Sequence, residues 1–317
     1  MGPKPGAPLY VLRRLFSGVS AGWPGLWGTA RAGARPRQGH DVARLVRRRA
    51  AGPDEFTWDP VRAEWDERAL RGADAVVNLC GASIGRRRWN GSFKQELRDS
   101  RITPTDVLAA AVVAADVPTL LNASGVHYYG GATGDRVVDE TSCAGSGFLA
   151  TLCRDWEAAT APAVDAGVRT ILLRSAVVLS GQGGMLGMLQ PLYSLGLGGR
   201  LGNGRQYTPW ISMADEIGAI LFALGNDTLR GPVNVVGPAP VTNAEFSRAL
   251  GRSLHRPTPL VVPAFALRAL IGEFAQEAIL HGPRAIPTAL EEAGYEFQHP
   301  TVGAALAAMV GRPGDDR

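Results

Sequence analysis

The chain has 317 residues, 45% hydrophobic and 20% charged, enough for one large α/β domain or a domain with a smaller appendage. Its net charge of +4 is uneven: residues 1–50 hold ten Lys/Arg against one acid, Asp41, leaving the remainder at net −5. With no basic face spread over the fold, nucleic acid is excluded as a partner. The three cysteines (Cys80, Cys143 and Cys153) make neither a metal-ligand spacing nor a disulfide framework, so no metal and a reducing, cytoplasmic compartment are expected. No stretch approaches the roughly 18 consecutive apolar residues of a membrane span, and no membrane partner is expected.

Residues 1–38 contain no acid, and Lys4, Arg13, Arg14, Arg31, Arg35 and Arg37 are scattered among glycine, proline and tryptophan. The charge suits an organellar transit peptide, although serine is sparse. The same stretch holds Gly22, Gly25 and Gly28 in a G-x-x-G-x-x-G spacing. Glycines so spaced let backbone N–H groups reach a pyrophosphate. The context is poor: Gly18 interrupts Leu15–Ala21 as a first strand, Pro24 removes a donor, and the residues after Gly28 lack an apolar helical face. With 40 glycines in the chain, chance spacing is the alternative.

From Gly39 to Val46 the sequence reads as a turn and a strand, followed by Arg47, Arg48 and Arg49. At this place in a dinucleotide fold an acid holds the ribose hydroxyl, whereas arginine accommodates a 2′-phosphate, which favours NADP over NAD. A solvated basic turn is the alternative. Ala75-Val-Val-Asn-Leu-Cys-Gly81 is a strand buried on both faces that stops where something approaches its backbone. Helices are expected over Phe93–Ser100 and Thr105–Ala115, then a second buried strand, Thr119–Gly125, ending in Ser124. Phe148–Ala166 reads as one long helix and Arg169–Leu179 as one strand. Gly181–Gly204 reads as a packed glycine-rich loop and short helix near a ligand. Val233–Gly237 is a late strand, and the tail from Thr242 to Gly311 is mostly helical. Strand and helix alternate as in βαβ units with a parallel sheet.

Several motifs stand in a familiar order: Ala75–Gly81, Arg88-Trp89, Asp99-Ser-Arg-Ile-Thr-Pro-Thr105, Ser124 with Tyr128-Tyr129-Gly130, Arg174-Ser175, Gly198-Gly199 through Gln206, Trp210-Ile-Ser, Asp215, Asn234, Ala239–Phe246 and Arg256-Pro257. With them the chain from Gly39 to about Gly311 resembles the atypical, epimerase-like short-chain dehydrogenase/reductases. The resemblance implies a Rossmann-like doubly wound parallel sheet over residues 39–240 that binds NADP(H), and a small, mostly helical C-terminal lobe over 241–317. It places Arg47 and Arg48 at the 2′-phosphate and Leu79, Cys80 and Gly81 along the adenosine side. Glu96 and Arg101 flank the cofactor, and Val178 lies near the nicotinamide half. Upstream of Gly39 only the family's glycine register survives. Residues 1–38 are therefore an atypical segment: a shifted reading frame, a misassigned start or a degenerate first βα unit.

Short-chain reductases usually carry Tyr-x-x-x-Lys, in which lysine lowers the tyrosine pKa for proton exchange. Aligned on Glu157, those positions are Leu149 and Cys153, so that relay is excluded. Ser124 takes the place of the usual catalytic serine, and Tyr128 or Tyr129 offers a phenol nearby; alternatively the tyrosines pack on the sheet and the serine caps a turn. Cys153 reads as a structural thiol, Asp215 as a helix cap and His127 as a rim or packing residue. Two functions remain: an NADP(H)-dependent oxidoreductase or epimerase-like enzyme acting on a small carbonyl or hydroxyl substrate, or a non-catalytic NADP(H)-binding sensor.

Overall fold

The Ala75–Asn78 strand is buried along its whole length because both of its faces are covered. Ala75 and Val77 belong to one apolar core and Val76 to another, as side chains alternating by two require. Thr119–Gly125 repeats the pattern, with Leu121 on the first side and Leu120 on the second. The structure, a computed structural model, describes residues 9–12, 42–131, 133–181 and 183–310. Gly22, Gly25 and Gly28 lie outside them, as does the Leu15–Ala21 stretch.

In chain order the strands are β1 Leu9–Leu12, β2 Val42–Val46, β3 Glu55–Asp59, β4 Glu64–Trp65, β5 Ala75–Asn78, β6 Thr119–Gly125, β7 Val137–Val138, β8 Arg169–Ser175, β9 Val177–Leu179, β10 Gly199–Leu201, β11 Trp210–Ser212, β12 Gly231–Val235, β13 Leu260–Val262 and β14 Arg284–Ala285. The helices are α1 Gly91–Asp99, α2 Ile102–Ala114, α3 Phe148–Ala158, α4 Ala161–Asp165, α5 Gly184–Ser194, α6 Met213–Gly225, α7 Asn243–Ser253, α8 Ala264–Ile271, α9 Thr288–Glu292 and α10 Val302–Val310. The main sheet runs β12-β8-β6-β5-β1-β2-β3-β4, with β12, β8, β6 and β5 parallel. α2 covers one face through Leu108 and Val112, and α6 the other through Ile217, Ile220 and Leu224. This is the doubly wound α/β arrangement expected from the sequence.

The central slot departs from it. β1 pairs with both β5 and β2 in antiparallel register, Leu9 opposite Asn78 and Leu45, Leu12 opposite Ala75 and Val42. The chain therefore enters β1 at the carboxyl ends of its neighbours and leaves it at their amino ends. No strand was expected here, because four apolar residues without alternation or turn signals carry no period.

Three further expectations are corrected. The long helix from Phe148 is two, α3 and α4, because Pro162 sits in the first turn of α4 and cannot continue a helix from upstream. Arg169–Leu179 is two strands in different sheets: β8 pairs with β6 and β12, while β9 pairs with β11. Asp215 is not the helix cap. Ser212 caps α6, its Oγ accepting the Asp215 N–H at 3.0 Å.

The buried Asp215 carboxylate instead anchors the C-terminal part of the chain. It accepts the backbone N–H groups of Gln298 (2.7 Å) and His299 (3.1 Å) and the Ser212 hydroxyl (2.6 Å). Glu140 does similar work, accepting the Asn234 N–H at 2.9 Å and the Ala289 N–H at 3.2 Å. Glu277, from a short turn after α8, accepts the Leu149 N–H at 3.1 Å. That carboxylate stands in for the cap that α3 lacks, since α3 starts at Gly147 with φ 106° and no capping side chain. Replacing Asp215 by alanine should cost about 2–3 kcal/mol of stability, the scale of lost hydrogen bonds to a charged acceptor. Urea unfolding measures the loss, and faster hydrogen exchange at the Gln298 and His299 amides assigns it.

Candidate active site

β5, β6, β8 and β12 end along one edge of the sheet, where their tips carry small residues: Gly81 beyond β5, Ser124 and Gly125 in β6, and Ser175 in β8. Ligands of doubly wound sheets occupy the crevice beyond such ends. β5 and β6 are tied by a buried polar net. Asn78 donates to the Asn122 side-chain carbonyl (2.6 Å) and to the Thr105 hydroxyl (2.8 Å), and Trp156 of α3 donates to Thr105 (3.0 Å). The net fixes the strand tips against α2 and α3.

At the tip of β5, Leu79 and Cys80 are buried and Gly81 faces Arg101, where a Cβ would come within 3.1 Å of the guanidinium carbon. Arg101 donates to the Ala82 carbonyl (2.9 Å) and lies over the Trp156 ring, and burial lowers its pKa. Burial pushes the Cys80 thiol up to about 12, with the Arg47 charge opposing it. Arg47 and Arg48 differ. Arg48 is held by Glu55 through two 2.7 Å contacts, which keep that carboxyl at about 2. Arg47 has no ion pair among the described residues. Glu96 on α1 is engaged by Arg86 and Arg87. Val178 lies in β9, beside Ile211.

The three hydroxyls expected to do chemistry meet at one ion pair. Arg174 of β8 and Glu157 of α3 are both buried and joined by two contacts, Nε to Oε1 at 2.8 Å and Nη2 to Oε2 at 2.9 Å. Burial pulls the arginine's pKa down, but the hydrogen bonds and charge of Glu157 more than reverse this and hold it above the ordinary value. Ser124 donates to Glu157 Oε1 at 2.6 Å. Tyr129 accepts from Arg174 Nη1 (3.1 Å) and donates to Asn234 Oδ1 (2.7 Å), and burial pushes its phenol up to about 12. Tyr128 differs: Arg174 lies 3.4 Å from its ring centre, and its hydroxyl makes no hydrogen bond among the described residues. A tight loop holds the tyrosines, since Gly145 donates to the Tyr128 carbonyl (2.9 Å) and a Cβ at Gly145 would run into the Tyr129 carbonyl.

Leu149 and Cys153 are buried beneath this cluster, and burial, reinforced by the Glu157 charge, pushes the Cys153 thiol up to about 12. Burial and the charge of Arg101 push His127 down to about 4, so the ring is neutral at pH 7 and fits the packing role. Glu216, at the start of α6, accepts the Ser175 hydroxyl at 2.7 Å through one oxygen. Its other oxygen is buried without a hydrogen bond among the described residues, and burial pushes the carboxyl up to about 7.

Comparison with known proteins agrees with this fold. The chain is 58% identical over 294 residues to the epimerase family protein MT2273 of Mycobacterium tuberculosis, covering 93% of this chain and 97% of the relative. The chain belongs to the epimerase family. Within it, human SDR39U1 is 34% identical over 91% of this chain and 98% of its own length. The crystal structure of human SDR39U1 with NADPH superposes with a TM-score of 0.77, covering 84% of this chain and 89% of that one. UDP-N-acetylglucosamine 4-epimerase of Bacillus cereus, 16% identical with a TM-score of 0.66, shares the fold, covering 84% of this chain and 88% of its own. Residues 262–309 match a family model described as a domain of unknown function, DUF1731.

Sequence reasoning assigned no role to Arg174, Glu157, Asn234 or Glu216 in this epimerase-family chain. One signal was present: a charged residue inside the apolar Ile171-Leu-Leu-Arg-Ser175 must find a partner when buried. Replacing Arg174 by methionine strands a buried carboxylate and should cost about 3–5 kcal/mol, most of it recovered when Glu157→Gln is added. Denaturant midpoints of the two single variants and the double variant check this. Glu216 gives a pH signature. Its folded value near 7 exceeds its ordinary 4.5, so the native state holds a proton that the unfolded chain releases between them. Stability from this group therefore falls as pH rises from about 4.5 to about 7, by about 3 kcal/mol in total. Urea titrations across that window should show the decline flattened in Glu216→Gln.

Proposed function

We propose that the protein is an NADP(H)-dependent oxidoreductase of the epimerase type, acting on a small carbonyl or hydroxyl substrate. The observation that supports the proposal is the set of parallel strands β5, β6 and β8 ending along one edge with small residues at their tips, together with an Arg47 that has no ion pair among the described residues. The crystal structure of human SDR39U1 with NADPH supports the same cofactor. Gly81 and Arg101 would border the adenosine, Arg47 would meet the 2′-phosphate, and Val178 would lie by the nicotinamide. A bound nicotinamide supplies the hydride chemistry. The chain's own part is to place a donor on the substrate oxygen. Tyr128 is the best supported of the three hydroxyls, because Ser124 and Tyr129 are already bonded within the ion-pair cluster while the Tyr128 hydroxyl has no hydrogen bond among the described residues. The Arg174 guanidinium over its ring fixes the ring's place.

A second reading, an NADP(H)-binding sensor without turnover, is favoured by one observation: buried Leu149 and Cys153 occupy the relay positions and carry no group able to assist a phenol. NADPH oxidation across a carbonyl panel separates the two. Turnover that falls about a hundredfold or more in Tyr128→Phe, with NADPH affinity kept, is the outcome expected for a general acid. Saturable NADPH binding with no turnover on any carbonyl supports the sensor. For cofactor choice, Arg47→Glu should weaken NADPH by about tenfold or more while leaving NADH little changed, the scale of a lost charge-assisted contact. Nicotinamide fluorescence titration with both dinucleotides reads this directly.

A further inference from the structure

α5 is apolar on more than one side. Leu186 and Tyr193 are buried, with Met185 and Leu189 packed against the same core. Met188, Leu192 and Leu195 follow one another at i, i+4 and i+7, a single helical stripe, and they face solvent. Met188 is 70% exposed and Leu195 75%, so these side chains project from the surface and do not line a pocket. Leu197 and Leu260 extend the stripe. The Leu197 N–H reaches the Leu192 carbonyl at 2.9 Å, the Leu260 N–H reaches the Gly198 carbonyl at 3.4 Å, and both side chains are exposed. No charged residue occurs from residue 183 to 199. A helix apolar all round belongs in a core or against lipid.

The sequence segments that carry the stripe are basic. Residues 183–212 and 246–272 together contain six arginines and no Asp or Glu, although the chain after residue 50 is net acidic. Arg256 donates to the Ser194 carbonyl at 3.0 Å, which pins a guanidinium at the end of α5. Exposed Arg200 follows in β10, paired in register with Val261. We infer that this face docks on a bilayer surface containing anionic lipid, with the leucines and Met188 entering the headgroup boundary and the arginines meeting lipid phosphates. A second copy of the chain is disfavoured, because a two-fold contact sets the same arginines against one another. A folded protein partner is disfavoured because projecting side chains need pockets to receive them, whereas a lipid surface deforms around them. No helix among the described residues is long and apolar enough to cross a membrane. The sequence expectation of no membrane partner rested on that criterion, which an interfacial helix need not meet.

The test is flotation of the full chain with vesicles of phosphatidylcholine alone or mixed with phosphatidylglycerol. The protein should float with the mixed vesicles and not with phosphatidylcholine alone, and added salt should release it. Met188→Glu with Leu195→Glu should reduce binding by about tenfold or more. Both positions are exposed, so circular dichroism and a cooperative melt should be unchanged. Failure of the folded protein to float with anionic vesicles overturns the proposal, as does equal flotation of the double variant. A dimer in sedimentation velocity that the same substitutions dissociate overturns it in favour of self-association.

Discussion

The Arg174–Glu157 ion pair is the constraint on which the candidate site depends. Two buried charges are costly to remove from water, and the cost is tolerable only when each finds a close partner and spare hydrogen-bonding capacity is filled. Here further bonds are supplied from the sheet: Ser124 of β6 donates to one carboxylate oxygen and Tyr129 accepts from Arg174 Nη1, passing the chain of bonds to Asn234 in β12. One pair thus binds three parallel strands and α3 into a fixed relation. The same arrangement explains which hydroxyls are spoken for. Ser124 and Tyr129 hold the scaffold, while the Tyr128 phenol, its ring against the guanidinium, has no hydrogen bond among the described residues.

A second theme is the use of buried or half-buried carboxylates to receive backbone N–H groups from distant parts of the chain. Asp215 takes those of Gln298 and His299, Glu140 those of Asn234 and Ala289, and Glu277 that of Leu149. All but the Glu140–Asn234 contact join the sheet-forming part to the stretch matching DUF1731. The aromatic group Trp89, Phe148 and Phe274 adds an apolar contact at the same boundary, with Lys94 lying over two of the rings and paired with Glu273. The C-terminal stretch is therefore tied to the sheet-forming part by polar and apolar contacts alike.

The central slot of the sheet is where the structure departs from the parallel order expected of the sequence. The glycine pattern that should follow a first parallel strand was already weak in the sequence, and the strand that fills the slot runs the other way. Hydrogen bonding accounts for the tolerance: β5 and β2 each present a free edge to the slot, and an antiparallel strand satisfies such edges at least as well as a parallel one.

Sequence alone determined the alternation of strand and helix from β5 to β8, the two-faced burial of β5 and β6 and the absence of a Tyr-x-x-x-Lys pair. These follow from local period and residue chemistry, which neighbouring residues declare. It did not determine the break between α3 and α4, the parting of β8 from β9, the capping of α6 by Ser212 or the pairing of Arg174 with Glu157. Nor did it tell Arg47 from Arg48, since only folding brings Glu55 of β3 against Arg48 at the end of β2. Local preference is written in consecutive residues. The partner of a buried charge is chosen by which strands lie side by side, and that is settled only when the sheet assembles.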